Sequence, residues 1–245
     1  MNKIPLKVKN CPIEEAVFEI RFSSMFPPEA VFGIFYQILN RNFPGSALIP
    51  QPILQLPEAV RQTDPNLLYQ AHHRLQRDNQ SIGVGPRTLT FSNQKPYVGW
   101  AAWSSFIEKV VQELVASKVF NVVERTGLRY INLFEAKLFE IADIEVKVIG
   151  SKLDSQSTTV RSEILDQDFV IILNLANNVN INSCGRTFTC SALDVDVLRN
   201  LGVDNDIFGK ILSQVMIDSH QKEKELFFNI LKQGHINSLD PTYEF

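Results

Sequence analysis

The chain has 245 residues, of which 44% are hydrophobic and 21% are charged, and its formal net charge is −3 at pH 7. A chain of this length and composition folds as one large or two smaller globular domains without a disulfide or metal to hold it together. Non-specific binding to nucleic acid depends on an excess of clustered Lys and Arg, which this evenly charged chain lacks as a whole, and the composition leaves a local basic stripe open.

Three cysteines, Cys11, Cys184 and Cys190, are an odd number without CxxC spacing. This argues against a disulfide framework and a zinc site, and it is typical of a reducing compartment. The N-terminal segment has no apolar signal-peptide core, and no apolar run approaches the roughly 20 residues of a transmembrane helix. We therefore expect a cytoplasmic protein that does not associate with membranes.

The first part of the chain begins with an amphipathic strand and a helix. Residues 16–22 alternate apolar and polar side chains, which indicates a half-buried strand. A helix is predicted to open at Pro28, since proline is tolerated in the first turn, and to end before Phe43. The proline-rich stretch 46–66 predicts only short extended pieces, such as 53–56, at a sheet edge.

A meander, a helix and a long strand complete this first part. The meander is predicted from three apolar runs separated by turn residues, at 67–76, 81–84 and 88–91. Apolar residues at helical spacing predict a helix over 100–118. The long strand is predicted over 121–134.

The second part starts again with strands and ends in a helix. The patterns predict strands at 144–148, 160–164, 169–175 and 187–197. The run 169–175 is almost continuously apolar, as in a strand covered on both faces, and Asn177-Asn178 is a turn signal. Asp204 or Asn205 is an N-cap for a helix that ends at Gly234.

These elements predict an α+β fold of antiparallel sheets, each packed by a long helix. Both parts share an order in which strands precede one long helix, so we interpret them as two related halves. The first half covers residues 1–135 and the second covers residues 136–245.

The sequence has no P-loop, dinucleotide-binding, nucleophile-elbow or kinase signature, so we assign no catalytic residue and no cofactor. His72 and His73 are adjacent on a predicted strand, point to opposite faces and are not expected to ligate one metal together. His220 precedes Glu223 and Lys224 on a predicted helix face that we interpret as solvated.

Asp194 and Asp196 give the sharpest enzymatic signal. Their apolar neighbours would face the core, which places both carboxylates on the opposite face about 7 Å apart. Together with Glu163 they are the alternative ligands for Mg²⁺ in a nuclease or phosphodiesterase. The competing interpretation is a solvated polar strand surface, and on that interpretation there is no metal site.

A second group of residues predicts a partner-binding surface. Arg125 and Arg129 emerge on one face of the long strand, and pairing with the first strand would bring Glu19 to Arg129. Arginine is suited to bidentate recognition of anionic groups. Tyr97 and Trp100 are interface anchors if exposed, or attach the helix to the sheet if buried. The candidates are Glu15, Arg21, Tyr97, Trp100, Arg125, Arg129 and Asn132.

Three segments resemble a sporadically distributed family of prokaryotic proteins of about this length with no established function. They are PIEEAVFEIRF at 12–22, YVGW at 97–100 and RTGLRYIN at 125–132. The resemblance implies a bacterial or archaeal protein. By analogy, a patchy distribution is that of toxin–antitoxin, mobile-element or phage-defence genes.

The function expected from the sequence is that of a non-catalytic module that binds another protein, such as an antitoxin, an immunity protein or a phage-defence subunit. One alternative is a binder of nucleic acid or of a small anionic ligand through the arginine-bearing face. The other is the metal-dependent nuclease. The sequence leaves the oligomeric state open.

Overall fold

Residues 3–154, 157–183 and 186–243 are described by a computed structural model of the protein. Its helices are α1 (Pro28–Asn42), α2 (Glu58–Thr63), α3 (Trp100–Ala116), α4 (Leu138–Ile141), α5 (Asn205–Ile230) and α6 (Gln233–Ser238). The first strands are β1 (Lys7–Val8), β2 (Ile13–Ser23), β3 (Ala47–Pro50), β4 (His73–Arg77), β5 (Gln80–Val84), β6 (Thr88–Gln94) and β7 (Val122–Phe134). The others are β8 (Lys147–Val148), β9 (Ser151–Lys152), β10 (Thr158–Asp166), β11 (Phe169–Ser183), β12 (Arg186–Asp204) and β13 (Pro241–Thr242).

The principal sheet has nine strands in the order β10-β11-β12-β7-β2-β6-β5-β4-β3. Every neighbouring pair is antiparallel. The α+β class and the antiparallel arrangement are therefore confirmed. Strands from both sides of residue 135 lie in this one sheet, because β7 pairs with β2 on one side and with β12 on the other.

The alternating pattern of the central strand β2 explains why the sheet is buried on one face and only partly covered on the other. Ala16, Phe18, Ile20 and Phe22 are fully buried, whereas the residues between them are only partly covered. Their side chains pack against the buried stripes of α1 and α3 on one side of the sheet. The opposite side of the central strands carries the polar residues of the alternation.

Buried side chains form two apolar clusters. The first lies between β2, β4–β7, α1 and α3, and the first half of α5 adds Phe208, Leu212 and Met216 to it. The second lies between β11, β12, α4, α6 and the end of α5, where Phe227 and Phe228 are buried. Helix α5 thus contributes to both clusters, and the division near residue 135 stays a prediction.

The proline-rich connection differs from its prediction. Residues Pro52–Gln55 form a 3₁₀ turn rather than an extended piece, since Pro52 fits the first position of such a turn. The edge strand lies earlier, at β3. The first meander strand begins only at His73, because the amide of Leu67 bonds to Asp64 in a turn.

The second part of the chain differs from its predicted secondary structure at several points. The pattern at 144–148 yields only the two-residue strand β8, paired with β9 outside the principal sheet. Asn177-Asn178 is not a turn: the register shifts there within β11, and Asn178 has a φ of 53°, which asparagine tolerates. Strand β11 alternates between buried and half-buried residues, so only one of its faces is fully covered.

The last long helix begins where the sequence predicts and ends earlier. The Asp204 carboxylate accepts hydrogen bonds from the amides of Asp206 and Ile207, which confirms the N-cap. The helix stops at Ile230, because the amide of Lys232 bonds to the carbonyl of Ile141 in α4. The predicted end at Gly234 is therefore wrong, and this glycine lies inside α6.

Cys11 and Cys190 are free thiols, and Cys184 lies outside the described residues. Within the described ranges, no helix is both long and apolar enough to cross a membrane.

Candidate functional site

The side of the central strands that faces away from the helices carries most of the predicted site residues. Strands β2, β7 and β12 bury one alternate set of side chains against the helices and direct the other set outward. We call this outward surface the open face. It is formed by Glu15, Val17, Glu19, Arg21, Arg125, Gly127, Arg129, Ile131, Asp194 and Asp196.

Glu19 is the centre of one group of ion pairs on the open face. Its Oε2 accepts from Arg21 Nε and from Arg125 Nη2, both at 2.8 Å. Its predicted pairing with Arg129 is wrong, because the register places Gly127 opposite Glu19 and brings Arg125 within reach instead. Glu19 and its two arginines are 20% to 29% exposed at the side chain, so these charges are held in a partly dry environment.

Arg129 makes the strongest contact on the open face. Its Nε and Nη2 donate to Asp194 Oδ1 and Oδ2, both at 2.7 Å, and Asn174 Nδ2 donates to Oδ2 at 3.0 Å. Such parallel bonds fix the two planar groups relative to each other. The hydrogen bonds to Asp194 also raise the pKa of Arg129, so the guanidinium stays charged.

Gly127 lies in the middle of the open face, where the side chains of Leu198 and Asp196 pack closely over it. A Cβ at this position would lie 2.9 Å from Leu198 Cδ2 and 3.4 Å from Asp196 Oδ1, so glycine permits this close approach. Asp196 lies beside this glycine and makes no hydrogen bond or ion pair with any residue in the part of the chain that the structure describes. Burial raises the pKa of Asp196 to about 6, against the attraction of Arg129, and repulsion by Glu19 adds to the rise.

The three predicted metal ligands do not converge. Asp196 is in register with Ile172 of β11, and Ile172 is in register with Glu163 of β10, so a whole strand separates the two acids. Both oxygens of Asp194 already accept from Arg129. Among residues 3–154, 157–183 and 186–243, no three His, Cys, Asp or Glu side chains are grouped to hold a metal ion.

A loop tyrosine extends the row of charges beyond Arg21. The Tyr69 hydroxyl donates to Glu124 Oε2 at 2.7 Å, and Arg87 also bonds to Glu124. The Arg21 guanidinium lies 4.4 Å from the centre of the Tyr69 ring, which is cation–π geometry. The sequence analysis did not predict this extension, because it assigns Tyr69 to a strand and the structure places Tyr69 in a loop.

Tyr97 and Trp100 lie on the other side of the sheet. The Tyr97 hydroxyl is 3.0 Å from that of Tyr130, and the Trp100 ring stacks on His220 at a centroid distance of 4.1 Å. These contacts agree with the alternative interpretation, in which the aromatic residues attach α3 to the sheet and to α5. Asn132 is 1% exposed and donates to the carbonyl of Leu193, a contact between neighbouring strands.

Beside these aromatic rings, α5 places an acid in the interior. Glu223 is only 5% exposed, and burial raises its pKa to about 8. Burial also lowers the pKa of His220 to about 4. The interpretation of this helix face as solvated is therefore wrong. The signal was present in the spacing, since Glu223 stands four residues before Phe227 and four after Ser219, in the buried stripe of α5.

A cavity of about 650 Å³ opens between α1, α2 and the ends of β4 and β5. Arg61, Arg87, Glu29 and Glu58 line it, so its charges are balanced. His72 and His73 both line it as well, which corrects their predicted opposite orientation, because β4 begins only at His73. Burial and the neighbouring Arg61 lower the pKa of His72 to about 4.

No protein-family model matches the chain, and no curated protein is significantly similar to it.

Proposed function

We propose that this protein is a cytoplasmic, non-catalytic interaction module that binds another protein through the open face. The single observation that carries the proposal is Asp196. It is a carboxylate beside Gly127, with arginines near it and no bonded partner in the described part of the chain. A partner that brings a lysine or arginine side chain to this carboxylate would supply the missing contact.

The charges of the open face complement a cationic segment. Its three arginines, Arg21, Arg125 and Arg129, are bonded to carboxylates of this chain. Glu15 and Asp196 add two acids that form no ion pair with other described residues. Charge complementarity of this kind directs a partner to one orientation more than it adds affinity.

The same contacts disfavour the nucleic-acid alternative. Phosphates compete poorly for guanidinium groups that already bond to internal carboxylates, and the open face carries more acids than bases. An Arg-dependent nucleic-acid binder would show a steep loss of affinity with salt. We expect oligonucleotides to bind weakly or not at all at physiological salt, and fluorescence polarisation measures this directly.

Site-specific photo-cross-linking tests the proposal. A photoreactive amino acid at Ile131, on the open face, is expected to give one discrete protein adduct in cells of the native host. The matched control is Ile217, which is 52% exposed on α5. Asp196→Lys is expected to abolish the adduct formed at position 131. Equal adducts at both positions, or an adduct at position 131 that Asp196→Lys leaves intact, would refute a partner site at the open face.

We also propose that the two halves are related, in agreement with the resemblance drawn from the sequence. The predicted boundary at residue 135 leaves β7 in the first half, and the two orders match only if the boundary is placed before β7. Strand, helix, three-stranded meander and long helix then recur as β2-α1-β4-β5-β6-α3 and β7-α4-β10-β11-β12-α5, with β3, α2, β8 and β9 as additional elements. The strand order supports this, because β12, β11 and β10 follow β7 as β6, β5 and β4 follow β2. Homologues whose two halves align with each other would test it.

The accessory role rests on the resemblance to a patchily distributed family. An antitoxin, immunity protein or phage-defence subunit is encoded beside the gene of its partner. We therefore expect a toxin or defence effector as the adjacent gene product. Binding of that product, lost in Asp196→Lys, would support the assignment, and a metabolic operon around the gene would contradict it.

A further inference from the structure

The two edges of the nine-stranded sheet differ in how they are protected. Edge strand β3 has four residues and ends in Pro50, and both features discourage pairing with another strand. Edge strand β10 has nine residues, contains no proline and pairs only with β11 among the described strands. A regular edge of this length is a template for a further strand.

The exposed side chains of β10 are unusual for a free edge. Leu165 is 78% exposed and Ile164 is 38% exposed. Arg161 and Glu163 are both exposed, and neither forms an ion pair with another described residue. The strand thus presents apolar side chains, Arg161 and Glu163 along an edge that pairs with no other described strand.

We propose that two copies of this chain associate by antiparallel pairing of β10 with β10, about a twofold axis at Ser162. In this register Arg161 of each copy lies opposite Glu163 of the other, on the side of the open face. Val160 lies opposite Ile164 on the helix side. Each contact occurs twice because of the twofold axis. The two paired β10 strands therefore form two ion pairs and two apolar pairs.

The sequence of β10 selects this register over its neighbours. A twofold axis at Arg161 places the two arginines opposite each other, and an axis at Glu163 does the same with the two glutamates. Like charges directly opposite each other destabilise a strand pair. A slip by a single residue would put the open face of one copy on the helix side of the other. Only the axis at Ser162 places opposite charges across from each other and apolar residues across from apolar residues.

Charge-reversal variants test this geometry. Arg161→Glu and Glu163→Arg each replace both ion pairs by like-charge pairs, so we expect each variant alone to dimerise roughly tenfold or more weakly than the wild type. An equal mixture of the two variants regains opposite charges at both positions. The double variant Arg161→Glu/Glu163→Arg again brings opposite charges together between two identical copies. Sedimentation velocity over a concentration series measures these four samples and the wild type.

The control is Arg74→Glu, which reverses an exposed arginine on β4 near the other edge and is expected to dimerise like the wild type. Recovery of the dimer in the mixture and in the double variant, with circular dichroism unchanged, would establish the register. The proposal is overturned if the wild type stays monomeric at its highest soluble concentration. Single variants that dimerise as tightly as the wild type would overturn it equally, as would a mixture that stays monomeric.

Discussion

Replacing the buried acid of α5 is expected to stabilise the protein in a pH-dependent way. Glu223 is 5% exposed, and burial holds its pKa at about 8 against an ordinary value of 4.5. Between these values the unfolded chain releases the proton and the folded chain keeps it. The stability contributed at this site therefore falls as the pH rises from 4.5 through 8 and is constant beyond that range.

The magnitude follows from the separation of the two pKa values. Each pKa unit corresponds to about 1.4 kcal/mol, so the penalty reaches at most about 5 kcal/mol above pH 8. Glu223→Gln keeps the shape of the protonated acid and has no proton to lose. The variant is expected to match the wild type below pH 4.5 and to become progressively more stable than it up to pH 8.

Urea unfolding at a series of pH values measures this difference, with tryptophan fluorescence as the signal because Trp103 is buried and Trp100 stacks on His220 of the same helix. Other titrating groups, such as Asp196, are present in both proteins and cancel in the difference. Glu225→Gln, at an acid of the same helix that is not fully buried, is the matched control for the substitution itself. A curve for the Glu223 variant that is no steeper than the curve of this control would refute the claim that the Glu223 carboxyl is buried and neutral.

Four further substitutions test the local structure, and each is measured as the free energy of unfolding. Gly127→Ala is expected to cost about 1–3 kcal/mol because its Cβ would meet Leu198, whereas Gly33→Ala in the open space of α1 is expected to stabilise by up to about 1 kcal/mol. Asp204→Ala removes the cap of α5 and is expected to cost about 1 kcal/mol. Asp194→Asn weakens a bidentate ion pair and is expected to cost about 2 kcal/mol. Equal effects of the two glycine substitutions, or no loss for either aspartate, would contradict the corresponding contacts.

Local patterns were sufficient for much of the secondary structure. The alternation in β2, the helical stripe of α3 and the N-cap at Asp204 each depend on residues close in sequence, and all three are confirmed. The sheet pairings that cross residue 135 were not accessible in the same way. Nothing in a strand specifies which distant strand supplies its partner, and the pairing of β7 with β12 follows from how the apolar faces are buried together.

The candidate site also combines features that local sequence predicts with features that only the tertiary structure decides. Alternation alone placed Arg125, Arg129, Asp194 and Asp196 on the outer side of their strands, because successive side chains of a strand point to opposite faces.

Which of these charges meet was decided by register, and register is a tertiary property. The partner of Arg129 is Asp194 rather than Glu19, since cross-strand alignment sets which charges lie within bonding distance. The burial of Glu223 is tertiary in the same sense, because the sheet beneath α5 determines which side of that helix loses its contact with water.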